Sequence, residues 1–275
     1  MADILGIGYT PVAEHWGLGL RELSTTAFQM AMGDSGLQLD AIDALVIANA
    51  LSGNLNQQNH IAAMLADHLG LRGVETFRVE AGDASGGLAV RLGANLVNSG
   101  AARYVAVLGV EKVTDLVGHG LNNALATLLD SEYEAAHGAT PTAIAGLLMR
   151  RYMHEFGLEL DAFEGFSINA HANGGRNKQA MFRNQIKPGR FATAPVVAPP
   201  VNLFDSAPEG DGAAALILGQ AGARTVSIIG SAAASDVFAL HNRPDPLFLH
   251  AANLAAGRAY EAAGIRPEDV NVLEL

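Results

Sequence analysis

The stretch VEAGDASGGLAV, residues 79–90, reads as a strand that breaks at Gly82 and turns into a helix within a few residues. Asp83 stands at the corner. Strand-to-helix corners often carry a nucleophile, because the backbone N–H groups of the new helix point at the turn and favour negative charge there. A carboxylate gains little from that setting: it is already ionised at neutral pH, a weak base and a poor acyl acceptor. The alternative is a cap, in which the side chain accepts from N–H groups two or three residues on and contributes about 0.5–2 kcal/mol. Capping is the expectation for Asp83.

Working outward, ETFRVEAG (75–82) supplies the strand, ASGGLAVRLGANLVNSG (84–100) the helix, and YVAVLGVEK (104–112) a further strand. Upstream, residues 3–9 predict a short strand, and Leu20, Leu23, Ala27, Met30 and Ala31 fall at helical spacing in a segment that stops at Gly36. IDALVIANA (42–50) is a continuous apolar run, the pattern of a strand buried on both faces, and a helix is expected at 57–70. Alternating strand and helix argue for α/β architecture with a largely parallel sheet. From 115 to 205 the rhythm stops: helices at 141–158 and 161–183 precede the proline-rich APVVAPPVNLFDSAP (194–208), the pattern of an insertion. Strands resume at 212–219 and 225–235, followed by a helix at 247–263 and a last strand, VNVLEL (270–275). A buried-type strand with no helix after it reads as a unit cut short.

With 275 residues, 49% of them hydrophobic and 16% charged, the chain can bury a sizeable core. The 28 acidic against 17 basic residues give a net charge of −11, and the basic residues are scattered, which disfavours nucleic-acid binding. MADILGIGYTPV lacks the features of a signal peptide, and no stretch approaches the roughly 18 apolar residues of a membrane span. The reading is a cytoplasmic chain with no membrane partner. It contains no cysteine, which excludes disulfides, a thiolate zinc site and a cysteine nucleophile within these residues.

Other motifs carry weaker chemistry. The GIG at 6–8 lies inside a strand without the third glycine or helix opening of a dinucleotide site. Gly86 and Gly87 allow either close helix packing or close approach of a ligand. Asp205 and Asp211 read either as a carboxylate pair or as backbone-capping residues. His60 and His68 are eight residues apart with no third ligand nearby, and MHEFG lacks a second histidine, so no metal site is expected.

Six motifs in this order resemble the thiolase superfamily, and within it the archaeal-type and sterol-carrier-protein-type thiolases: GIGYT (6–10), VEAGDASGG (79–87), GVEKVTD (109–115), MRRYMHEFGL (149–158), DSAPEGDGAAALIL (205–218) and AGRAYEAAGIRPEDVNVLEL (256–275). The resemblance covers the whole chain. It implies a layered αβαβα sandwich with an incomplete second half: residues 1–114 and 206–222 as the N-terminal half, 115–205 as an inserted loop domain, and 223–275 as the start of the C-terminal half. It also implies a homodimer joined through 75–82 and 84–100.

By the same resemblance the family's acyl-accepting cysteine falls on Asp83, and the family's catalytic histidine and second cysteine fall beyond Leu275. Asp83 is then a non-catalytic residue at the nucleophile's position, either a cap or a charge mimic in an acyl-CoA pocket. Arg150, Arg151 and Lys178 are candidates for CoA phosphates, with a solvated helix face as the alternative. His171 lies in the loop domain that contacts CoA in relatives, and is otherwise a satisfied surface histidine. Tyr152 and Tyr260 sit in helical patterns and receive no role. The implied function is acyl-CoA binding in lipid metabolism, resembling acetyl-CoA C-acyltransferases but degenerate or serving as a partner subunit, with coenzyme A thioester as ligand and no metal. The alternatives are a cysteine-independent C–C lyase (retro-aldolase) on CoA-linked substrates, working with an OB-fold acyl-CoA-binding partner, or an acyltransferase with its catalytic groups in a further C-terminal part.

Overall fold

Residues 44–48 contain no polar side chain, and all five are buried, so this strand has neighbours on both edges and both faces. It lies near the centre of a six-stranded sheet in the computed structural model, which describes residues 1–220 and 226–274. In chain order the elements are β1 (Ala2–Tyr9), α1 (Leu20–Ser35), β2 (Ala44–Ala48), α2 (Ser52–Leu55), α3 (Ile61–His68), β3 (Glu75–Val79), α4 (Ser85–Asn98) and β4 (Tyr104–Glu111). There follow α5 (His119–Ala126), α6 (Pro141–Phe156), α7 (Glu164–Gly174), β5 (Val196–Ala198), β6 (Val201–Asn202), β7 (Gly212–Gln220), β8 (Val226–Ser227) and α8 (His250–Ala263).

The sheet order is β3-β2-β4-β7-β1-β8. Strands β2, β3 and β4 are parallel, and β7 enters antiparallel between β4 and β1. The sheet is therefore mixed, with β1 to β4 sharing one direction. Alternate residues of each strand feed two cores, as a period of two requires. Leu45, Ile47, Leu108 and Ile217 face α1 and α3, while Val46, Val105 and Leu218 face α4. Helices on both faces bury the central strands, which makes the β2 and β4 runs continuously apolar rather than alternating.

Helix α1 buries Leu20, Leu23, Ala27, Phe28 and Ala31; Met30, expected on that face, is 47% exposed. The glutamate of the first turn, Glu22, accepts the Gly19 N–H at 2.9 Å, and Gly36, at φ +69°, ends the helix by donating its N–H to the Met32 carbonyl. The GIG motif has its explanation here. A Cβ on Gly6 would overlap the Ala31 carbonyl, and one on Gly8 the Ala27 carbonyl, so both glycines let α1 lie directly on β1.

The segment between β4 and β7 contains α5, α6, α7 and the β5–β6 hairpin. Thr140 caps α6 by accepting the Ala143 N–H at 3.2 Å, and Pro141 occupies the first turn, where its missing N–H costs nothing. The helix expected at 57–70 is shorter, starting at Ile61 and preceded by the single turn α2. The helix expected at 161–183 ends at Gly174, where three further turn bonds redirect the chain. Among the described residues of 225–235 only Val226 and Ser227 form strand, paired to β1, and residues 270–274 form none. A strand exists only through its ladder partners, and here those segments have few or none. Residues 221–225 and 275, which include the boundary expected at 222/223, lie outside the described residues.

Candidate active-site elbow

Because β2, β3 and β4 run in one direction, their C-terminal ends share an edge of the sheet, and Gly212 of β7 pairs with Glu111 there. The elbow, Glu111, Lys112 and Asp211 thus lie along the same end of the sheet. At the elbow, Gly82 adopts φ +54°, a left-handed conformation that reverses the chain between β3 and α4. Ser85 holds the turn: its Oγ accepts the Ala81 N–H at 2.9 Å and donates to the Gly82 carbonyl at 2.6 Å. Glu80 accepts the Gly82 N–H at 2.7 Å.

Asp83 does not cap the helix. Its side chain is exposed, and α4 starts from Ala84 without a side-chain cap. Ser85 instead fixes the turn ahead of the helix, and no side chain caps α4. Gly86 and Gly87 are likewise exposed, and a Cβ on either would meet nothing within 4 Å, so close packing within this chain does not explain them. The residues that pack α4 on the sheet are Ala89, Gly93, Ala94 and Val97.

Behind the elbow lie two charged clusters. Asp211 is wholly buried and accepts five bonds: from Lys112 Nζ at 2.8 Å, Thr114 Oγ1 at 2.7 Å, and the backbone N–H groups of His15, Val113 and Thr114 at 2.9, 2.7 and 2.9 Å. Burial alone would raise its pKa, but Lys112, Thr114 and the N–H groups outweigh it and hold the carboxyl well below the usual carboxylate range. Lys112 is also buried and shares its ammonium among Asp211, Asp115 (2.6 Å) and Thr114 (3.1 Å). Desolvation works against its charge, yet the two carboxylates hold its pKa above the ordinary lysine value. Trp16 lies over the ammonium, 5.9 Å from ring centroid to Nζ. Asp211 is therefore a capping residue, with a buried ion pair in addition, and Asp205 accepts separately from the Asn202 N–H at 3.3 Å.

The second cluster is Glu111 with Asn49 and Arg78. Glu111 Oε1 accepts the Ala50 N–H in a very short contact and the Leu51 N–H at 3.1 Å. Arg78, on β3, donates to the carbonyls of Asn49, Ala50 and Asn59. Burial pushes the Glu111 carboxyl up, against the pull of the two N–H groups, the Arg78 charge and the nearby Asn49 amide. Of these two clusters the sequence singles out Asp211 alone, without its lysine partner. Their other visible signal is a pair of charges, Glu111 and Lys112, directly abutting an apolar strand.

The four expected CoA-binding residues have separate surroundings. Arg150 is exposed on α6, and Arg151 pairs with Glu155 at 2.8 Å on the same helix. His171 Nδ1 contacts the Asn184 carbonyl at 2.9 Å, and its ring meets Phe204 edge-on, so it is a structurally satisfied histidine in this chain. Lys178 lines an open cleft of about 550 Å³ between residues 11–14 and 178–183, together with Arg183, Glu14 and Phe182. Among the described residues no group of three or more His, Cys, Asp or Glu side chains could hold a metal ion, and no helix is long and apolar enough to cross a membrane.

The profile of the thiolase N-terminal domain matches residues 8–195. The chain belongs to the thiolase family. This thiolase-family chain is 36% identical over 280 residues to the acetyl-CoA acetyltransferase of Methanocaldococcus jannaschii, covering 99% of this chain and 71% of that protein. It is 36% identical over 278 residues to the acetyl-CoA acetyltransferase of Methanothermobacter thermautotrophicus, covering 99% of this chain and 72% of that one. Among solved structures, the Ltp2-ChsH2(DUF35) aldolase superposes with a TM-score of 0.81 at 23% identity, over 98% of this chain and 71% of that chain, a likeness of fold.

Proposed function

We propose that this thiolase-family chain binds coenzyme A thioesters at the elbow edge without forming an acyl-enzyme there. The observation that carries the reading is the elbow itself. It has the strand, glycine turn and helix that favour an anion, and at the corner an exposed carboxylate in a chain with no cysteine. A thiolate at such a corner is populated at neutral pH and attacks thioesters, whereas a carboxylate there repels the developing oxyanion and yields at best a hydrolysable anhydride. The exposed backbone at Gly86 and Gly87 supports approach by a ligand or a partner chain. Arg150, Arg151 and Lys178 are proposed to meet the CoA phosphates, and His171 to line the same loop domain. The residues 1–114 with 206–222, 115–205 and 223–275 are proposed as N-terminal half, loop domain and start of the C-terminal half. A homodimer through β3 and α4 is supported by β3 being an edge strand of the sheet beside the elbow.

Calorimetric titration with CoA, alongside intact-mass measurement after incubation with acetyl-CoA, tests this. Saturable binding without an acetyl adduct is expected. Absence of binding overturns the proposal, and a covalent adduct overturns its non-acylating part.

One observation favours a second reading, a C–C lyase acting on CoA-linked substrates with a second polypeptide. The fold superposes well on the Ltp2-ChsH2(DUF35) aldolase, which carries two named components. Retro-aldol cleavage of a CoA-linked side chain in the presence of an OB-fold partner would establish it over the binding-only role.

A further inference from the structure

Two buried acceptor oxygens near the elbow end of the sheet have no donor in hydrogen-bonding geometry, Glu111 Oε2 and Asn56 Oδ1; the Asn49 amide beside Glu111 is spent on the Val110 carbonyl at 2.9 Å. The two oxygens are neighbours in the same piece of architecture. The Asn56 amide donates to the Lys112 carbonyl at 3.1 Å, one residue along from Glu111, while Glu111 Oε1 holds the Ala50 and Leu51 N–H groups. An ionised carboxylate with one buried, unpartnered oxygen is costly, and so is an amide oxygen left without a donor. A proton on Oε2 removes the charge and gives the buried carboxyl a donor of its own.

The segment held by Glu111 is a cover. Residues 49–56 follow β2, include α2, and place Leu51 and Leu55 in a small apolar cluster with Ala124, Leu125 and Leu128 of the α5 region. Asn54 ties the segment to Thr127 at 2.9 Å. Leu128, packed against that cluster, in turn lies 3.8 Å from the Cβ position of Gly82, so the cluster beneath the segment links it to the elbow.

We propose that Glu111 is a proton-operated latch: protonated, it seats the Asn49–Asn56 cover over the elbow edge, and on losing its proton to solvent it releases the cover. Burial raising the Glu111 pKa agrees with a proton held in the closed state. The charge reaching the carboxyl is Arg78, from β3, which is committed to three carbonyls of the cover and its flank. Lys112 turns its ammonium to Asp115, Thr114 and Asp211; α2 has no titratable residue, and α5 has only His119, at its first position. The sign follows from linkage: a carboxyl whose closed-state pKa is raised favours closure at low pH, and closure is lost as pH rises through that pKa. Gating of CoA thioesters by the latch rests on the proposed function; the latch itself does not.

The test is a pH series on the whole chain, reading the carboxyl-carbon NMR shift of Glu111 and the intrinsic-rate-corrected hydrogen-exchange protection of the amides at 50–56. A Glu111 midpoint above the ordinary glutamate value is expected. Protection should fall with that midpoint, by about tenfold for each unit of elevation. Glu111→Gln, whose amide can accept on one side and donate on the other, should keep these amides protected at every pH. A midpoint at or below the ordinary value, protection that ignores it, or an unchanged pH dependence in Glu111→Gln each overturns the latch. Calorimetry with CoA on the same samples reports on the binding proposal separately, since the latch can operate whether or not CoA binds.

Discussion

Lys112 Nζ lies 2.8 Å from Asp211 Oδ2, and both side chains are almost wholly excluded from solvent. Through this pair and its five bonds, Asp211 joins the loop after β1 (His15), the loop after β4 (Val113, Thr114) and the start of β7. Three segments remote in sequence are thereby held at the sheet edge that carries the elbow.

Asp211→Asn should destabilise the protein by about 3–5 kcal/mol in urea unfolding, because it leaves a buried ammonium short of a counter-charge. A paired replacement, Lys112→Met with Asp211→Asn, should cost less than Asp211→Asn alone, since no ammonium is then stranded and the asparagine oxygen still accepts from the backbone N–H groups.

The same carboxylate predicts acid sensitivity. Its folded pKa is depressed by Lys112, Thr114 and backbone N–H groups, so its contribution is fully present above the unfolded aspartate value of about 3.9 and is lost as pH falls toward the folded value. Unfolding midpoints measured down the acid range should drop more steeply in the native chain than in Asp211→Asn.

Asp83→Ala should leave stability within about 0.5 kcal/mol, because the side chain is exposed and caps nothing. Ser85→Ala removes both bonds that hold the turn and should cost about 1–3 kcal/mol. Thermal unfolding of the two variants side by side distinguishes a structural serine from a structurally silent aspartate.

Gly8→Ala should destabilise by about 1–3 kcal/mol or more, since the new methyl meets the Ala27 carbonyl of a helix that lies directly on the strand. Gly86→Ala, facing open space, should be neutral or slightly stabilising. Circular dichroism during denaturation checks both.

Lys178→Ala and Arg150→Ala should weaken CoA binding in calorimetry while leaving the affinity for pantetheine unchanged, because the proposed contacts are with phosphates. Equal losses for both ligands would remove these residues from the phosphate site.

Much of the architecture was legible because it is written in local patterns. The 3.6-residue spacing of Leu20, Leu23, Ala27 and Ala31, with Gly36 at its end, specifies α1, and uninterrupted apolar runs specify β2 and β4. The corner at Gly82 was equally visible. Its side-chain chemistry was not: Asp83 is a good cap by type, but the Ser85 hydroxyl bonds the Ala81 N–H and Gly82 carbonyl within the turn, and α4 begins without a side-chain cap. The reversal of β7 was hidden too, since an apolar strand reads the same in either direction.

The sequence by itself determined the alternation of elements, the position of the elbow, the absence of a cysteine to act there, and the family motifs that the thiolase profile matches over residues 8–195. Only the tertiary structure decided which charges matter. Glu111 and Lys112 are adjacent in the chain, yet one faces the cover at Ala50 and Leu51 and the other pairs with Asp211, ninety-nine residues away. Alternation along the strand end sends neighbouring side chains to different surroundings, and burial then sets what each charge costs and which partner it needs.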